Sequence, residues 1–331
     1  MPVYNGGAYL RPAILSILNQ DFADFELLII DDGSTDASLE VASSFDDPRI
    51  RIETNGRNLG LITTLNRGLD LATSEFVARM DADDIAFPER LSKQLAFMDA
   101  HPDVGLCGTW YERDSMQGTV IMKPPKEDRL IRFALIFDTV FAHNTILFRR
   151  RFLENHHLRY DPDYRHAEDF ELWTRCSRHT RLANIPEVLL RYHYHENNTS
   201  SRHREEQVHT ADKIRCRYLE DFGLIPTADE YRIHNDLLQF RLKGSKHDLE
   251  AAATWLRRLA EAVGKTLDLS HGRIFREFSR HWYGACATQA DCGFETWRTF
   301  IACPAGRQGR LAWQAKLLLR CLLKRPVHTP P

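Results

Sequence analysis

Across the first 200 residues short apolar runs alternate with helical stripes, and this alternation constrains the fold more than any other feature. Residues 27–30 (LLII) have the length and composition of a buried parallel strand. The run ends in Asp31-Asp32-Gly33-Ser34-Thr35-Asp36, a turn with helix-capping residues, so a helix to about residue 45 should follow. Residues 49–53 alternate as a strand and 55–60 read as a loop. Residues 61–72 carry a helical stripe at 61, 62, 65, 69 and 72. Residues 76–80 are the next strand, Pro88 should open a helix to about residue 100, and 104–110 and 145–148 are further strands. The pattern predicts an α/β domain with a mostly parallel central sheet.

After about residue 200 helical patterns take over, at 203–221, 228–241, 247–263 and 271–287. The expected division is an α/β domain at 1–200 and an α-helical C-terminal region at 201–331. Residues 310–324 read as an amphipathic helix, with Leu311, Ala315, Leu318 and Leu322 on one face and Lys316, Arg320 and Lys324 on another. Such a helix either docks on its domain or lies in a membrane interface. The start also stands out. Residues 1–5 (MPVYN) look like the last residues of a strand and a turn, with a helix at 9–19 behind them. A missing strand body would leave neighbouring backbone groups unpaired, at about 1–3 kcal/mol per buried group. The chain is therefore expected to be a truncated or mis-started version of a longer protein.

Composition narrows the function. With 43% hydrophobic and 27% charged residues the 331-residue chain has the make-up of a soluble globular protein. A net charge of −2 argues against a nucleic-acid partner. After Glu295 there are only basic charges, and such a tail can meet a membrane surface or an acidic partner. Seven cysteines without a C-x-x-C pair favour reduced thiols in a cytoplasm. No apolar run reaches the roughly 18 residues of a membrane span, and no signal peptide precedes the first motif. The sequon at Asn197 is read as chance.

Chemistry concentrates where strands end. In open α/β sheets ligands bind beyond the carboxyl ends of the strands. Asp81, Asp83 and Asp84 follow the 76–80 run, and three carboxylates there repel one another unless a cation is present. A hard divalent ion, Mg²⁺ or Mn²⁺, with open positions for a diphosphate suits them. The plainer alternative is a solvated turn with Asp84 or a neighbour capping the helix at Pro88. Tyr4 and Asp32, at two other strand ends, could hold a nucleobase by stacking and by accepting a base N–H; singly they read as packing and turn residues. Asn58 and Arg79 either reach the nucleotide or stabilise their own loops. Glu168 and Asp169 open a helical segment, where a carboxylate suits the helix dipole. Asp169 could instead take a proton from an acceptor hydroxyl, with Glu168 orienting it or the acceptor. His143-Asn144 is placed on the acceptor side. His193, His195, His203 and His209 lack the spacing and cysteine partners of a structural zinc site.

Three stretches, PVYNGGAYLRPAILSILNQDFADFELLIIDDGSTD, NLGLITTLNRGLDLATSEFVARMDADDIAFPERL and YRHAEDFELWTR, resemble the family 2 glycosyltransferases with the GT-A fold. The resemblance covers residues 1 to about 200 and rests on four motifs in order. It implies that Tyr4 and Asp32 contact the uracil or thymine of a nucleotide-sugar. It further implies that Asp81 lies near the ribose, that Asp83 binds the metal on the diphosphate and that Asp169 is the base of an inverting transfer. His195 would match a histidine often found near the metal, while His193 stands where the family often has arginine. The family's first strand, normally central to the sheet, would be lacking.

The resulting expectation is an inverting transferase moving a sugar from a UDP- or dTDP-sugar to a hydroxyl of a glycan or lipid-linked acceptor, in cell-surface polysaccharide synthesis. It would be cytoplasmic or peripheral on the inner membrane face, with membrane contact through residues 308–325. The alternative is a non-catalytic nucleotide-sugar-binding protein associated with membranes. A phosphatase with an aspartyl nucleophile fits less well, because such sites usually carry Thr or Val soon after the second Asp, and Asp84-Ile85 follows here.

Overall fold

Strand β1 (Pro2–Val3) pairs in parallel with β2 (Leu27–Asp31), and β2 in parallel with β3 (Ile50–Thr54). This computed structural model describes residues 1–115, 118–193, 203–242 and 246–326. Residues 1–214 form one unit and 215–331 a second. Pro2 and Val3 form a two-residue strand, and a bend at Tyr4 and Asn5 follows. The Ile30 N–H donates to the Met1 carbonyl at 2.9 Å, and the Asp32 N–H to the Val3 carbonyl at 2.7 Å. A cavity of about 510 Å³ lies beside β2, lined by Leu28 and Ile30 on one side and Val77 and Ala78 on the other.

Helix α1 (Leu10–Leu18) buries Leu10, Ala13, Ile14 and Ile17, the spacing of one helical face. Helices α2 (Ser38–Ser43) and α3 (Leu61–Leu71) complete the layer around the parallel sheet. The apolar run at 76–80 becomes β4 (Phe76–Ala78), followed by a short β5 (Ile85–Ala86) and α4 (Arg90–Ala100). Pro88 lies in the turn before α4, so the helix begins two residues later than expected. One apolar cluster, including Val3, Leu10, Ile29, Met80, Ala86 and Leu190, joins this layer to the next.

The second sheet contains β6 (Val104–Ser115) and β7 (Gly118–Met122), then, after α5 (Asp128–Ala134), β8 (Leu147–Arg149). After α6 (Arg150–Asn155) and α7 (Glu168–Cys176) it is completed by β9 (Arg181–Tyr192). Its order is β4-β8-β6-β9-β5, with β7 beside β6. Only β6 and β9 run parallel in it. The parallel arrangement expected from the sequence thus belongs to the three-stranded sheet. Strand β9 is not apparent from sequence, because Pro186 interrupts it. The register to β6 slips between Ile185 and Val188, so Pro186 sits in a bulge where no ladder N–H is needed.

Helix α8 (Arg204–Glu220) carries the chain into the second unit, which holds α9 (Ala228–Leu238), α10 (Lys246–Leu267) and α11 (His271–Thr288). Helices α12 (Phe294–Ala302), α13 (Pro304–Gln308) and α14 (Leu311–Leu323) follow. Thr227 and Glu230 form a reciprocal capping box at the start of α9. Trp255 and Trp282 are fully buried in the core of this unit, with their indole N–H groups donating to His234 and the Phe300 carbonyl. All seven cysteines are free thiols. No helix among the described residues is long and apolar enough to cross a membrane.

Candidate active site

The ends of β1 and β2 carry the first group of candidates. Asp32 is buried one residue beyond β2. Its carboxylate accepts the N–H groups of Leu59 and Gly60, both at 2.9 Å, and the Asn55 side-chain amide at 2.7 Å. A carboxylate has about four acceptor positions, so one is left for a base N–H. The same contacts clamp the 55–60 loop. Asn58 belongs to that clamp: its side-chain oxygen accepts the Gly60 N–H at 3.0 Å. Tyr4 follows Val3, which pairs with Asp31, so Tyr4 and Asp32 are neighbours at adjoining strand ends. Tyr4 is 50% exposed there. Gly33 makes the turn possible. Its φ is +73°, and a Cβ there would lie 2.4 Å from the Arg57 carbonyl carbon.

Beyond β4, one carboxylate oxygen each from Asp81, Asp83 and Asp84 lies within 4.8 Å of the others. This all-oxygen donor set fits a hard divalent cation. Asp84 does not cap α4. It is completely buried, and its carboxylate accepts the His193 N–H at 2.8 Å and the Asn144 side-chain amide. Burial, and then the charges of Asp81 and Asp83, push its carboxyl well above the usual range. Arg79, also buried, pairs with Asp81. Burial opposes the Arg79 charge, but Asp81, Tyr160 and Asp84 together outweigh it and the guanidinium is held more firmly protonated. Below it the fully buried Arg90 donates to the Arg79 carbonyl at 2.8 Å and to Gln94 at 3.0 Å. Burial pulls Arg90 down to about 10, so it stays cationic at neutral pH.

Glu168 and Asp169 begin α7. Glu168 is buried and Asp169 half-buried. Burial, and then the charge of Glu168, push the Asp169 carboxyl up to about 7. The Phe170 N–H on its Oδ1, at 2.6 Å, and the helix dipole act the other way and lose. Arg79 links the two groups electrostatically, because its charge is felt at Asp81, Asp84, Glu168 and Asp169. The acidic cluster and Asp169 therefore share one field. His143 contacts the Tyr160 hydroxyl at 2.7 Å, and burial lowers its pKa well below the ordinary value.

His195 lies outside the described residues. His193 approaches Asp114 at 3.2 Å, whereas the His203 ring stacks on His166 at 4.2 Å, so these two histidines serve different contacts. Sequence reasoning missed the strut role of Asp84, and it missed Arg90 and Tyr160. Arg90 shares the buried face of α4 with Leu91, Gln94 and Met98, and that spacing was a usable signal. Tyr160 has no local signature. It is positioned by a two-way amide clamp with Asn66, at 2.8 and 2.9 Å, from 94 residues away.

The profile described as Glycosyl transferase family 2 matches residues 1–157. A glycosyltransferase of Haemophilus influenzae is 36% identical over 237 residues, covering 67% of this chain and 73% of that protein. The O-antigen biosynthesis glycosyltransferase WbnJ of Escherichia coli is 31% identical over 210 residues, covering 60% of this chain and 80% of that protein. The crystal structure of S. aureus TarS 1-349 in complex with UDP-GlcNAc matches with a TM-score of 0.58 at 16% identity, covering 99% of this chain and 91% of that one. The fold is that of a GT-A glycosyltransferase with a helical C-terminal region. The chain belongs to glycosyltransferase family 2 and is an enzyme of that class.

Proposed function

We propose that this enzyme transfers a sugar, with inversion, from a UDP- or dTDP-sugar to a hydroxyl of a glycan or lipid-linked acceptor in cell-surface polysaccharide synthesis. The carrying observation is Asp169. A carboxyl near 7 can take a proton at neutral pH while keeping the driving force to do so. The acceptor oxygen attacks the anomeric carbon opposite the leaving diphosphate, and its proton passes to Asp169. Glu168 keeps Asp169 basic and orients the acceptor. Tyr4 stacks on the base, and the remaining acceptor position of Asp32 receives a base N–H. Arg79 holds Asp81 in place near the ribose. A Mg²⁺ or Mn²⁺ ion held by Asp81 and Asp83, with His195 as a further ligand, would offset charge on the diphosphate. The TarS complex with UDP-GlcNAc and the polysaccharide names of several relatives support the donor and acceptor classes. A cytoplasmic enzyme peripheral to the inner membrane face would meet lipid-linked acceptors there.

The test is a panel of UDP- and dTDP-sugars assayed for metal-dependent turnover, with Asp169→Asn beside the parent. Loss of about 10²–10⁴-fold in kcat supports the base. A variant that turns over at the parent rate refutes it.

A further inference from the structure

We propose that the outward face of α14 is a docking surface for a membrane that carries anionic lipid. The structure changes which side of this helix matters. Leu317 and Cys321 are buried on the side that packs against its unit, where Trp313 also stacks on Tyr283 and Gln314 donates to the Gly306 carbonyl. At 100° per residue, Leu311, Ala315, Leu319, Leu322 and Leu323 share an arc of about 120° on another side. There the leucines are open: Leu311 is 80% exposed, Leu322 65%, Leu319 57% and Leu323 54%. The helix therefore has two apolar faces, and only one is used in packing.

Charge selects the occupant. Lys316 is exposed beside this arc, Arg310 precedes it, Lys324 is exposed at the left-handed residue that ends the helix, and the sequence has no acidic residue after Glu295. Phe294, 59% exposed, adds an aromatic side chain near the end of α14, since a Cβ placed on the adjoining Gly293 would lie 3.7 Å from the Cys321 carbonyl oxygen and 3.8 Å from Lys324. An apolar arc bordered by lysine and arginine matches a bilayer interface with anionic headgroups. A second copy matches it less well, because a two-fold contact through this face would bring the same cations together. With 13 residues the helix is too short to span a bilayer. It lies in the interface instead. This surface fits the lipid-linked acceptor reading but does not depend on it.

Co-sedimentation of the full chain with vesicles tests the surface, with phosphatidylcholine alone compared with phosphatidylcholine containing phosphatidylglycerol. Binding should be at least about tenfold tighter on the anionic vesicles and should weaken as salt rises. The double variant Leu319→Asp, Leu322→Asp should lose at least about tenfold in binding to them while keeping its melting temperature. Lys316→Glu with Lys324→Glu should lose the preference for phosphatidylglycerol. Three results would each overturn the proposal: no sedimentation with either vesicle, unchanged binding of the leucine variant, or a concentration-dependent dimer abolished by the same leucine changes without any vesicle binding. No donor sugar is present in this assay. Its failure therefore leaves the glycosyl-transfer reading standing, and an inactive enzyme that still binds vesicles leaves the surface standing.

Discussion

At the scale of single residues, the carboxyl of Asp169 makes the sharpest predictions. If its ionised form is the base, kcat should rise with pH through about 7 and level off above it. Its effect on stability has the opposite sign. The carboxyl is raised from 3.8 to about 7 on folding, so its contribution is fully present below about pH 4 and is lost as pH rises through 7. Asp169→Asn should therefore gain a few degrees in melting temperature at pH 8 and almost nothing at pH 4, measured by calorimetry. Asp84 supports a second prediction. Asp84→Ala strands the buried Asn144 amide, at about 1–3 kcal/mol, and removes the acceptor of the His193 N–H, partly offset by removing a buried carboxyl that burial destabilises. A net loss of about 1–3 kcal/mol in urea unfolding is expected, and less for Asp84→Asn, which keeps an acceptor oxygen.

At the scale of elements, the turn after β2 and the bulge in β9 show how local chemistry meets tertiary pairing. Gly33→Ala would force a Cβ against the Arg57 backbone at positive φ and should cost about 1–3 kcal/mol or more. Gly56→Ala, also at positive φ but with nothing within 4 Å, should cost only about 1 kcal/mol, so comparing their denaturation midpoints separates strain from steric clash. The β2 run and the α1 stripe were legible because their period is written in consecutive side chains. Strand β9 was hidden, since its identity comes from β6 alongside and Pro186 breaks the local pattern. The same limit applied to α14. Its stripe at Leu311, Ala315, Leu318 and Leu322 was read from sequence, but the face that packs is centred on Leu317 and Cys321.

At the scale of the whole molecule, residues 1–214 carry every described candidate for donor chemistry, while 215–331 has its own core around Trp255 and Trp282. Nucleotide with Mn²⁺ at about 100 times its Kd should stabilise the first unit, which carries the donor site, by about 2.7 kcal/mol. Differential scanning calorimetry with UDP and manganese should show the unfolding transition rise, and return when EDTA is added. The sequence alone determined the class of fold, the strand ends where carboxylates collect and the family. Those properties reside in short-range periodicity and in motif order, which one chain displays without its three-dimensional partners. Tertiary structure alone decided that Asp84 is a buried strut, that Arg79 is buried against Asp81 and that α14 turns four leucines outward. Each depends on which groups exclude water from one another, and that is set by contacts between residues far apart in the chain.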